Sequence, residues 1–570
     1  MIKSLQQSTS FRVAVALFLL ALVASSPLLA DGWYLAHDYE AHLVRTVATC
    51  HEMGLGDFYP RWLSIACLGK GSPVLNFYAP GFYLMVGYLH ALGLPVLTAL
   101  KLLCISVFFL GSFGMYLWTK PYFGAAGAFL SATLYMFVPY HFVDIYVRGA
   151  LPEFAALALL PFLFYAIDLS FSSDRPLRGV AICAVSSAAI ILTHNLSALM
   201  IAPFAMAYFV WCSISVKAPL QRILFACAGP LLGAGLSAFY WLPVLTEKKY
   251  LGNLTSVISG GNRYFDHFVR IPQFFSPQWG FGNSRNGMSF QIGYILLACA
   301  IIALLSMIFS RSSFKKFGFI SFVLGLAGIF MTMPLSAPLY RLMPVFEFVQ
   351  FPWRFLGPAT LFFAAGSGFC MHNRFLQTEK AKWTFSAMVL ILCVLVSTGQ
   401  RNVKGRLSVD LEPEAFRKQS ESLFVEWTED EFIPKGSTIS PLLVLDSLKL
   451  VNDGLATHIK DFEAVGSRMK CRVTATGQKS ELTVPWFYFP GWQAKCDDRV
   501  VPVQGSPEGF IKVSIPPGEH AVEIWFGSTR PRLAGWIAAA GTLACICCFA
   551  VLKRRQRERE LHDGLDRKDN

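Results

Sequence analysis

The feature that most constrains this chain is a succession of apolar runs, each long enough to cross a lipid bilayer. A transmembrane helix needs about 20 mainly apolar residues, and such windows recur along most of the 570 residues. Only 15% of the residues are charged, whereas a soluble protein carries about 25%. The sequence therefore predicts a polytopic α-helical membrane protein that lies in a lipid bilayer. The windows are 11–30, 76–94, 98–118, 124–140, 150–171, 178–193, 196–215, 221–242, 291–310, 317–334, 354–372, 383–399 and 532–552.

The basic residues between these windows indicate which of them cross. Cytoplasmic loops are enriched in Lys and Arg, and both ends of the chain are basic. Both ends are therefore expected in the cytoplasm, which requires an even number of spans. We predict about twelve spans, with 76–94 as a re-entrant or surface-lying segment interrupted by proline and glycine. If 76–94 does not cross, the basic connections that become cytoplasmic are those at 120, 174–178, 216–222, 311–316 and 372–382.

The net charge of +13 comes from the same Lys and Arg residues. The positive residues fall between apolar runs, as the membrane rule requires, so no nucleic-acid partner is expected. The N-terminus, MIKSLQQSTSFRVAVALFLLALVASSPLLADGW, has the form of a signal peptide. Because many spans follow it, an uncleaved first transmembrane helix is favoured.

The predicted topology collects the polar segments on the outer face. We expect a transmembrane domain over 1–399 with an outer loop at 31–97, and an extracytoplasmic domain over 400–531. A final span at 532–552 then leads to a cytoplasmic basic tail at 553–570. Within 400–531, β-branched and aromatic residues alternate with polar ones in SELTVPWFYFPGWQAKC and GFIKVSIPPGEHAVEIWFG. This alternation, broken by Gly and Pro, predicts a β-rich domain of the sandwich type.

Four of the 14 cysteines fall in predicted outer segments. Cys50 and Cys67 lie in the first outer loop, and Cys471 and Cys496 lie in the β-rich domain. One pair in each outer segment, in an oxidising compartment, predicts the disulfides Cys50–Cys67 and Cys471–Cys496.

Polar groups cluster at membrane depth in four outer pieces of the chain. Charge at this depth is costly unless it is solvated, paired or used. Taken singly, each group can be an interfacial anchor or part of a helical turn. Together, carboxylates, arginines and a His-Asn turn resemble a site for a phosphate leaving group and a proton acceptor. The residues are Asp38, Glu40 and His42 in HDYEAH, Arg148 and Glu153 at the start of one span, His194 and Asn195 between two spans, and Arg354 at the first turn of another.

The first outer loop also resembles a known family. The run DYEAHLVRTVATCHEMGLGDFYPRWLSIACLGKGSPVLNFYAP is similar to the first outer loop of membrane glycosyltransferases of the GT-C superfamily. It is closer still to the bacterial branch labelled 6-pyruvoyl-tetrahydropterin-synthase-related membrane proteins, and no residue here suggests pterin chemistry. The stretches YVRGALPEFAALALLP, FVQFPWRFL and PWFYFPGWQAKCDDRVVPV resemble related bacterial membrane proteins too. The family pattern maps onto Asp38, Tyr39, His42, Gly56, Tyr59, Pro60, Arg61, Trp62, Gly71, Pro73, Phe77, Tyr78 and Pro80.

The resemblance implies a GT-C-like fold and an inverting transfer of a sugar from a polyprenyl-phosphate carrier. The acceptor would be a glycan, a lipid or a protein on the periplasmic face of a bacterial inner membrane. In that superfamily an acidic residue of the first outer loop is the usual catalytic group. The residue in that position here is Asp38, with Glu40 as a competitor.

The chemistry assigns roles to the remaining polar residues. Asp38 would take the proton from the acceptor hydroxyl, with His42 or Glu40 assisting. Arginine binds phosphate with a planar fork, so Arg354 and Arg148 would stabilise the leaving phosphate, with Lys248 and Lys249 in reserve. A divalent metal between Asp38 and Glu153 is allowed, although no ligand spacing demands it. Further cavity candidates are Glu153, His194, Asn195, Arg61 and Tyr78.

Two other functions compete with this interpretation. A transporter or flippase of lipid-linked sugars would need polar residues on both faces, and we find no inverted repeat. A non-catalytic protein of envelope polysaccharide assembly would use the β-rich domain as its working part. The positions of Asp38 and Arg354 distinguish these hypotheses. If the chain is a transferase, both side chains must line one outer cavity.

Overall fold

The chain is a helical bundle followed by a β-rich region and one last long helix. The computed structural model describes residues 2–67, 69–172, 174–252, 263–284, 287–416, 432–437, 449–451, 458–476 and 480–566. The predicted tail at 553–570 thus extends four residues past the described part. The helices are α1 (Ile2–Ala24), α2 (Tyr39–Gly54), α3 (Val74–Phe77), α4 (Gly81–Ala91), α5 (Val96–Met136), α6 (Pro139–Phe142), α7 (Leu151–Phe171), α8 (Pro176–Thr193), α9 (Asn195–Ser215), α10 (Leu220–Leu236), α11 (Ala238–Glu247), α12 (Tyr294–Phe309), α13 (Lys315–Thr332), α14 (Ala337–Leu342), α15 (Leu356–Ser367), α16 (Glu379–Val396) and α17 (Arg530–Asp566).

The membrane character of the chain is confirmed by its helices. Among the described residues, six helices are long and apolar enough to cross a membrane, or seven if the pair α10 and α11, bent by 64°, is one span. One of the six, 96–148, is interrupted at Gly124, whose φ of 69° and ψ of −173° are not helical. That break lies where the sequence separates the windows 98–118 and 124–140. The count of about twelve spans stays a prediction.

The segment 76–94 does not form one long helix. It contributes the end of α3 and the 11 residues of α4, and α4 is shorter than the roughly 20 residues that a span requires. Pro80 lies between the two helices and precedes α4. Proline lacks an amide hydrogen and disfavours helix in the residue before it, which accounts for the interruption.

The helices pack through aromatic rings and small residues. Trp118 of α5 stacks on Phe164 of α7 with ring centroids 5.0 Å apart, and Phe164 contacts Phe362 of α15 at 4.9 Å. Between α13 and α15, a side chain at Gly328 would come within 2.9 Å of the Ala359 backbone. Small residues of this kind allow helices in a membrane to approach closely.

The β-rich region predicted near the C-terminus is confirmed. Its strands form two antiparallel sheets, in the orders β3-β6-β10-β9 and β4-β5-β11-β7-β8. Inward residues alternate along the strands, as in β5, because successive side chains of a strand point to opposite faces. The strands of these two sheets are β3 (Lys449–Val451), β4 (His458–Val465), β5 (Arg468–Ala475), β6 (Ser480–Phe487), β7 (Trp492–Cys496), β8 (Arg499–Val501), β9 (Val503–Gly505), β10 (Phe510–Ile515) and β11 (Gly518–Phe526). A separate antiparallel pair is formed by β1 (Trp33–Tyr34) and β2 (Arg406–Leu407).

One buried carboxylate joins the last helix to the bundle. Glu247 of α11 accepts hydrogen bonds from Nε and Nη2 of Arg532 at 3.1 and 2.9 Å, and Arg532 is fully buried. Glu247 also accepts from Asn76 Nδ2 at 2.7 Å and from the Thr529 hydroxyl at 2.5 Å. Arg532 Nη2 donates in turn to the carbonyl of Pro490, in the β-rich region, at 2.8 Å. The β-rich region is therefore anchored on the bundle at a defined position.

Neither predicted disulfide is formed, because Cys50, Cys471 and Cys496 are free thiols. Cys471 on β5 and Cys496 on β7 both pair with Val522 of β11, from opposite sides. Two strand spacings of about 4.8 Å separate them, and a disulfide requires Cα atoms within about 7 Å. Cys50 lies in α2 and is buried, and this burial raises the pKa of its thiol to about 12.

The thiols of Cys471 and Cys496 are therefore expected to be reduced in the isolated protein. When the protein is unfolded without reductant and treated with N-ethylmaleimide, mass spectrometry should find both cysteines labelled. A disulfide-linked peptide that contains both residues would contradict the β5-β11-β7 strand order.

Candidate active site

A polar cleft of about 900 Å³ opens where the start of the first outer loop meets three other segments. The segments are the end of the turn before α7, the stretch around 267–288, and the approach to α15. The cleft thus combines an acidic side chain, two arginines, two aromatic rings and several neutral polar groups. The residues that line it are His37, Asp38, Arg148, His267, Asn283, Ser284, Met288, Phe351, Trp353 and Arg354.

A buried ion cluster supports the arginine wall of the cleft. Glu153 Oε2 lies 3.0 Å from Arg148 Nη1 and 3.1 Å from Arg354 Nε, so one carboxylate binds both arginines. Arg148 is also paired with Asp144, four residues earlier. Tyr140 donates a hydrogen bond to the other Glu153 oxygen at 2.7 Å. In a dry site, ion pairs are costly unless their remaining polar atoms are satisfied. Among the described residues, Asp144 Oδ2, Glu153 Oε2 and Arg354 Nε form no hydrogen bond, so at these atoms the cluster depends on charge pairing alone.

The two arginines differ in what they have left to offer a ligand. The Arg148 guanidinium is held by two carboxylates and lies 4.5 Å from the Trp353 ring centroid. Arg354 is paired with Glu153 through Nε and donates to the Val349 carbonyl through Nη1 at 3.2 Å. No described residue accepts a hydrogen bond from Arg354 Nη2. Arg354 is therefore the arginine better placed to bind an anion in the cleft.

Backbone contacts fix Asp38 beside this wall. The amides of His37 and Asp38 donate to the carbonyls of Val147 and Arg148, at 3.0 and 2.8 Å. Asp38 is exposed and immediately precedes α2, so its carboxylate is available at the cleft. Residues 143–148 form a π-helical turn, a wide turn that is frequent at functional sites.

The close approach of these two segments depends on Gly149. This residue has φ of +69°, and a Cβ placed on it would lie 2.8 Å from Ala36 Cβ and 3.5 Å from the Tyr39 amide. Only glycine adopts this conformation readily. Gly149 thus ends the π-helical turn and leaves room for the segment that carries Asp38.

Glu40 and His42, the other two catalytic candidates in HDYEAH, do not line the cleft. Glu40 is exposed and accepts a hydrogen bond from the Tyr39 hydroxyl at 2.8 Å. Burial, together with this hydrogen bond, raises the pKa of Tyr39 to about 12. His42 is buried against Tyr83, with 2.7 Å between Nδ1 and the hydroxyl. Burial and the neighbouring Arg45 hold the pKa of His42 well below its usual value. His42 is therefore a neutral imidazole in the packing of α2.

The remaining predicted residues fall into separate environments. Lys248 and Lys249 are exposed on a short turn after α11 and do not line the cleft. Arg61 is buried elsewhere, where it donates to Asn76 Oδ1 at 2.9 Å and to the Phe239 carbonyl at 2.6 Å. Arg61, Lys248 and Lys249 are therefore not among the residues that line the cleft with Asp38, and their predicted roles in substrate binding stay predictions.

Three more candidates surround the cleft without lining it. The Tyr78 ring lies against the guanidinium of Arg45, with 4.2 Å between the ring centroid and Arg45 Cζ. His194 caps α9 through Ser197, with Nδ1 2.8 Å from the hydroxyl. Asn195 donates to the Tyr240 hydroxyl at 3.3 Å. Each is engaged in packing or capping, so their predicted place in the cavity is not supported by these contacts.

The donor set does not favour a metal between Asp38 and Glu153. Tyr140 occupies one Glu153 oxygen and the two arginines occupy the other. Among the described residues, the group that brings three metal-ligand atoms within 4.8 Å is Cys496, Asp497 and His520, in the β-rich region. The positive charges beside Glu153 take the place that a cation would need.

Sequence reasoning missed several residues of the cleft. Asp144 is fully buried in the ion cluster, and its spacing of four residues from Arg148 was a signal that could have identified it. The stretch 267–288 contributes His267 and Ser284, which are hydrogen-bonded at 2.8 Å. No sequence motif marks this stretch, and it reaches the cleft through tertiary packing, including a hydrogen bond from His37 Nε2 to the Phe281 carbonyl at 3.1 Å.

Comparison with known proteins now places the chain in a family. Residues 75–403, more than half of the chain, match the family described as 6-pyruvoyl-tetrahydropterin synthase related domain, membrane protein. The chain belongs to this family. In this family member, the matched range contains Arg148, Glu153 and Arg354, whereas Asp38 and the strands from β3 onward lie outside it.

Among solved structures the matches are distant, and among curated proteins there are none. A cryo-EM structure of the arabinofuranosyltransferase AftD from Mycobacteria is similar, with 14% identity and a TM-score of 0.44. That match covers 70% of this chain and 27% of AftD, so the chain spans about a quarter of that protein's length. A mutant form of AftD matches with 14% identity, a TM-score of 0.40 and coverage of 68% and 27%. No curated protein matches the chain.

Proposed function

We propose that this family member is an inverting membrane glycosyltransferase, with the cleft as its active site. The observation that carries the proposal is that Asp38 lines the same outer cleft as Arg148 and Arg354. A carboxylate and an anion-binding arginine pair around one cavity are what sugar transfer from a phosphate carrier requires. A transporter of lipid-linked sugars also needs cationic groups to hold the phosphate, but it has no need of a carboxylate beside them to take a proton.

The proposed reaction is a single displacement at the anomeric carbon. The acceptor hydroxyl oxygen attacks that carbon and forms the new glycosidic bond, while the bond to the carrier phosphate oxygen breaks. Asp38 takes the proton that the hydroxyl loses, and the bond electrons leave with the phosphate. A positioned general base of this kind contributes about 10²- to 10⁴-fold to a rate.

The leaving phosphate would be stabilised by Arg354, with Arg148 behind it. The charges of both arginines are already shared with Glu153. The cluster of two arginines, Asp144 and Glu153 is formally neutral, which suits a carrier with one phosphate better than one with two. Phe351 and Trp353, stacked at 5.2 Å, flank the arginines and restrict water, so that the remaining hydrogen bonds to phosphate are strong.

The polyprenyl tail would lie in an apolar crevice of about 960 Å³ between α7, α8, α9 and α10. Its walls include Leu163, Ile191, Ile201 and Phe209. Glu153, which binds both cleft arginines, lies at the start of α7, so one of the helices that wall the crevice begins at the site. A lipid-linked sugar could therefore contact both regions.

The predicted topology gives the orientation of this site. We propose that the cleft and residues 400–531 lie on the periplasmic side of a bacterial inner membrane, with 1–399 and 532–552 as the membrane part and 553–570 in the cytoplasm. The acceptor would be a glycan, a lipid or a protein on that face.

The proposal is tested by the release of carrier phosphate. Purified wild-type protein is incubated with a panel of polyprenyl-phosphate sugars and candidate acceptors, and free polyprenyl phosphate is measured. Release that depends on both substrates is expected. Vesicle-to-vesicle movement of an intact lipid-linked sugar, without release, would instead favour a flippase.

Gly149→Ala should lower this activity by displacing the catalytic loop. The new Cβ meets Ala36, and a shift of about 1 Å in an active site can cost about 10²-fold in rate. Gly93→Ala is the matched control, because Gly93 also has positive φ but no atom lies within 4 Å of its Cβ position. Equal activity of the two variants would contradict the role of Gly149.

A further inference from the structure

A second cavity, separate from the cleft, lies between the first outer loop and the β-rich region. It is a groove of about 1350 Å³, bounded by the end of α2 and by the β4–β5 hairpin. Trp62 closes this part of the interface, with its ring 5.1 Å from Trp492 and 5.2 Å from Phe526. The groove is therefore a built feature of how the β-rich region docks on the loop.

Glu52 lines the groove as a buried carboxylate, and hydrogen bonds from the described residues reach only one of its two oxygens. Its side chain belongs to a residue that is 1% exposed. Oε1 accepts hydrogen bonds from the Ser64 amide, at 2.8 Å, and from the Ser64 hydroxyl. These bonds fix the loop after α2. No residue in the described part of the chain donates to Oε2, and burial raises the pKa of Glu52 to about 7.

Gly466 keeps the second Glu52 oxygen open to the groove. This glycine lies in the β4–β5 hairpin with φ of +54°, and a Cβ on it would lie 2.9 Å from Oε2. Any side chain there would cover the carboxylate. The groove thus ends on a buried hydrogen-bond acceptor that a ligand can reach.

The charges around the groove narrow the class of ligand. Glu52, Asp57, Glu463 and Glu523 outnumber Arg468 and Lys470, and Lys470 is paired with Glu523 at 3.5 Å. An anionic ligand would therefore be repelled. A metal ion is not favoured, because within the described ranges no three ligand atoms converge here. Mixed donors and acceptors beside apolar Phe526 suit a neutral ligand with many hydroxyl groups.

We propose that this groove binds an uncharged oligosaccharide, with Glu52 Oε2 accepting hydrogen bonds from sugar hydroxyls. Given the proposed function, this ligand is the acceptor glycan. Glu52 and Asp38 lie at opposite ends of α2, about 20 Å apart at 1.5 Å per residue. The groove would therefore hold a part of the acceptor remote from the reacting hydroxyl.

The test measures binding without donor, so it does not depend on turnover. Full-length protein in nanodiscs is titrated calorimetrically with a panel of uncharged oligosaccharides of various lengths, and with acidic glycans for comparison. At least one should bind wild type and Asp38→Asn equally. Glu52→Gln keeps an acceptor for Ser64 but places an amide at Oε2, and it should weaken binding about tenfold or more.

Two variants complete the test. Glu519→Gln, an exposed carboxylate on β11 outside the groove, should bind like wild type. Arg468→Ala, at an exposed groove position, should also weaken binding. It serves as the test by itself if Glu52→Gln proves unstable in thermal unfolding. Absence of binding to the whole panel, preference for acidic glycans, or unchanged affinity in both groove variants would overturn the inference. Binding without any carrier release would overturn the proposed function alone.

Discussion

Asp38→Asn is expected to reduce sugar transfer by about 10²- to 10⁴-fold, the contribution of a positioned general base. Asparagine keeps the size of the side chain and its place before α2, but it cannot take the acceptor proton. Asp38 is exposed and its backbone is held by Arg148, so the variant should fold normally and reach wild-type abundance. Carrier phosphate release by purified protein measures the loss.

Glu40→Gln is the matched control for this experiment. Glu40 is two residues away and exposed, and it accepts its hydrogen bond from Tyr39 rather than lining the cleft. A glutamine oxygen can accept the same bond, so transfer within about twofold of wild type is expected. If Glu40→Gln abolished transfer while Asp38→Asn did not, the base would have to be reassigned to Glu40.

Glu153→Ala is expected to destabilise the protein by about 3–5 kcal/mol, the usual effect of removing one partner from a buried ion pair. The change would leave Arg354 without an ion-pair partner among the described residues and would leave Arg148 with Asp144 alone. The Tyr140 hydroxyl would also lose its acceptor. Thermal unfolding in detergent should show a large fall in the midpoint, and transfer should fall with it.

Glu347→Ala provides the comparison, because Glu347 is an exposed carboxylate close to Arg354 in sequence. Its replacement should leave the unfolding midpoint nearly unchanged, since exposed charges contribute little. A midpoint for Glu153→Ala as high as that of Glu347→Ala would show that the ion cluster does not hold the cleft together.

The amino-acid sequence by itself determined the class of the molecule. Apolar runs of spanning length predict membrane helices, because in a bilayer the backbone amides and carbonyls must form their hydrogen bonds within the helix. Period-two alternation of apolar and polar residues near the C-terminus predicts strands. The sequence also marked Asp38, Arg148, Glu153 and Arg354, because charges beside apolar runs are costly and therefore conspicuous.

Only the tertiary structure decided which of these residues meet. Asp38 reaches the arginines because Gly149 admits its loop, and Glu153 joins Arg148 to Arg354 across about 200 residues of chain. The same packing turns Lys248 and Lys249 away, and the register of β11 separates Cys471 from Cys496. Local periodicity reports the face on which a side chain lies, whereas convergence depends on contacts between segments distant in sequence. Those contacts are set by packing and strand register, which no single stretch of sequence contains.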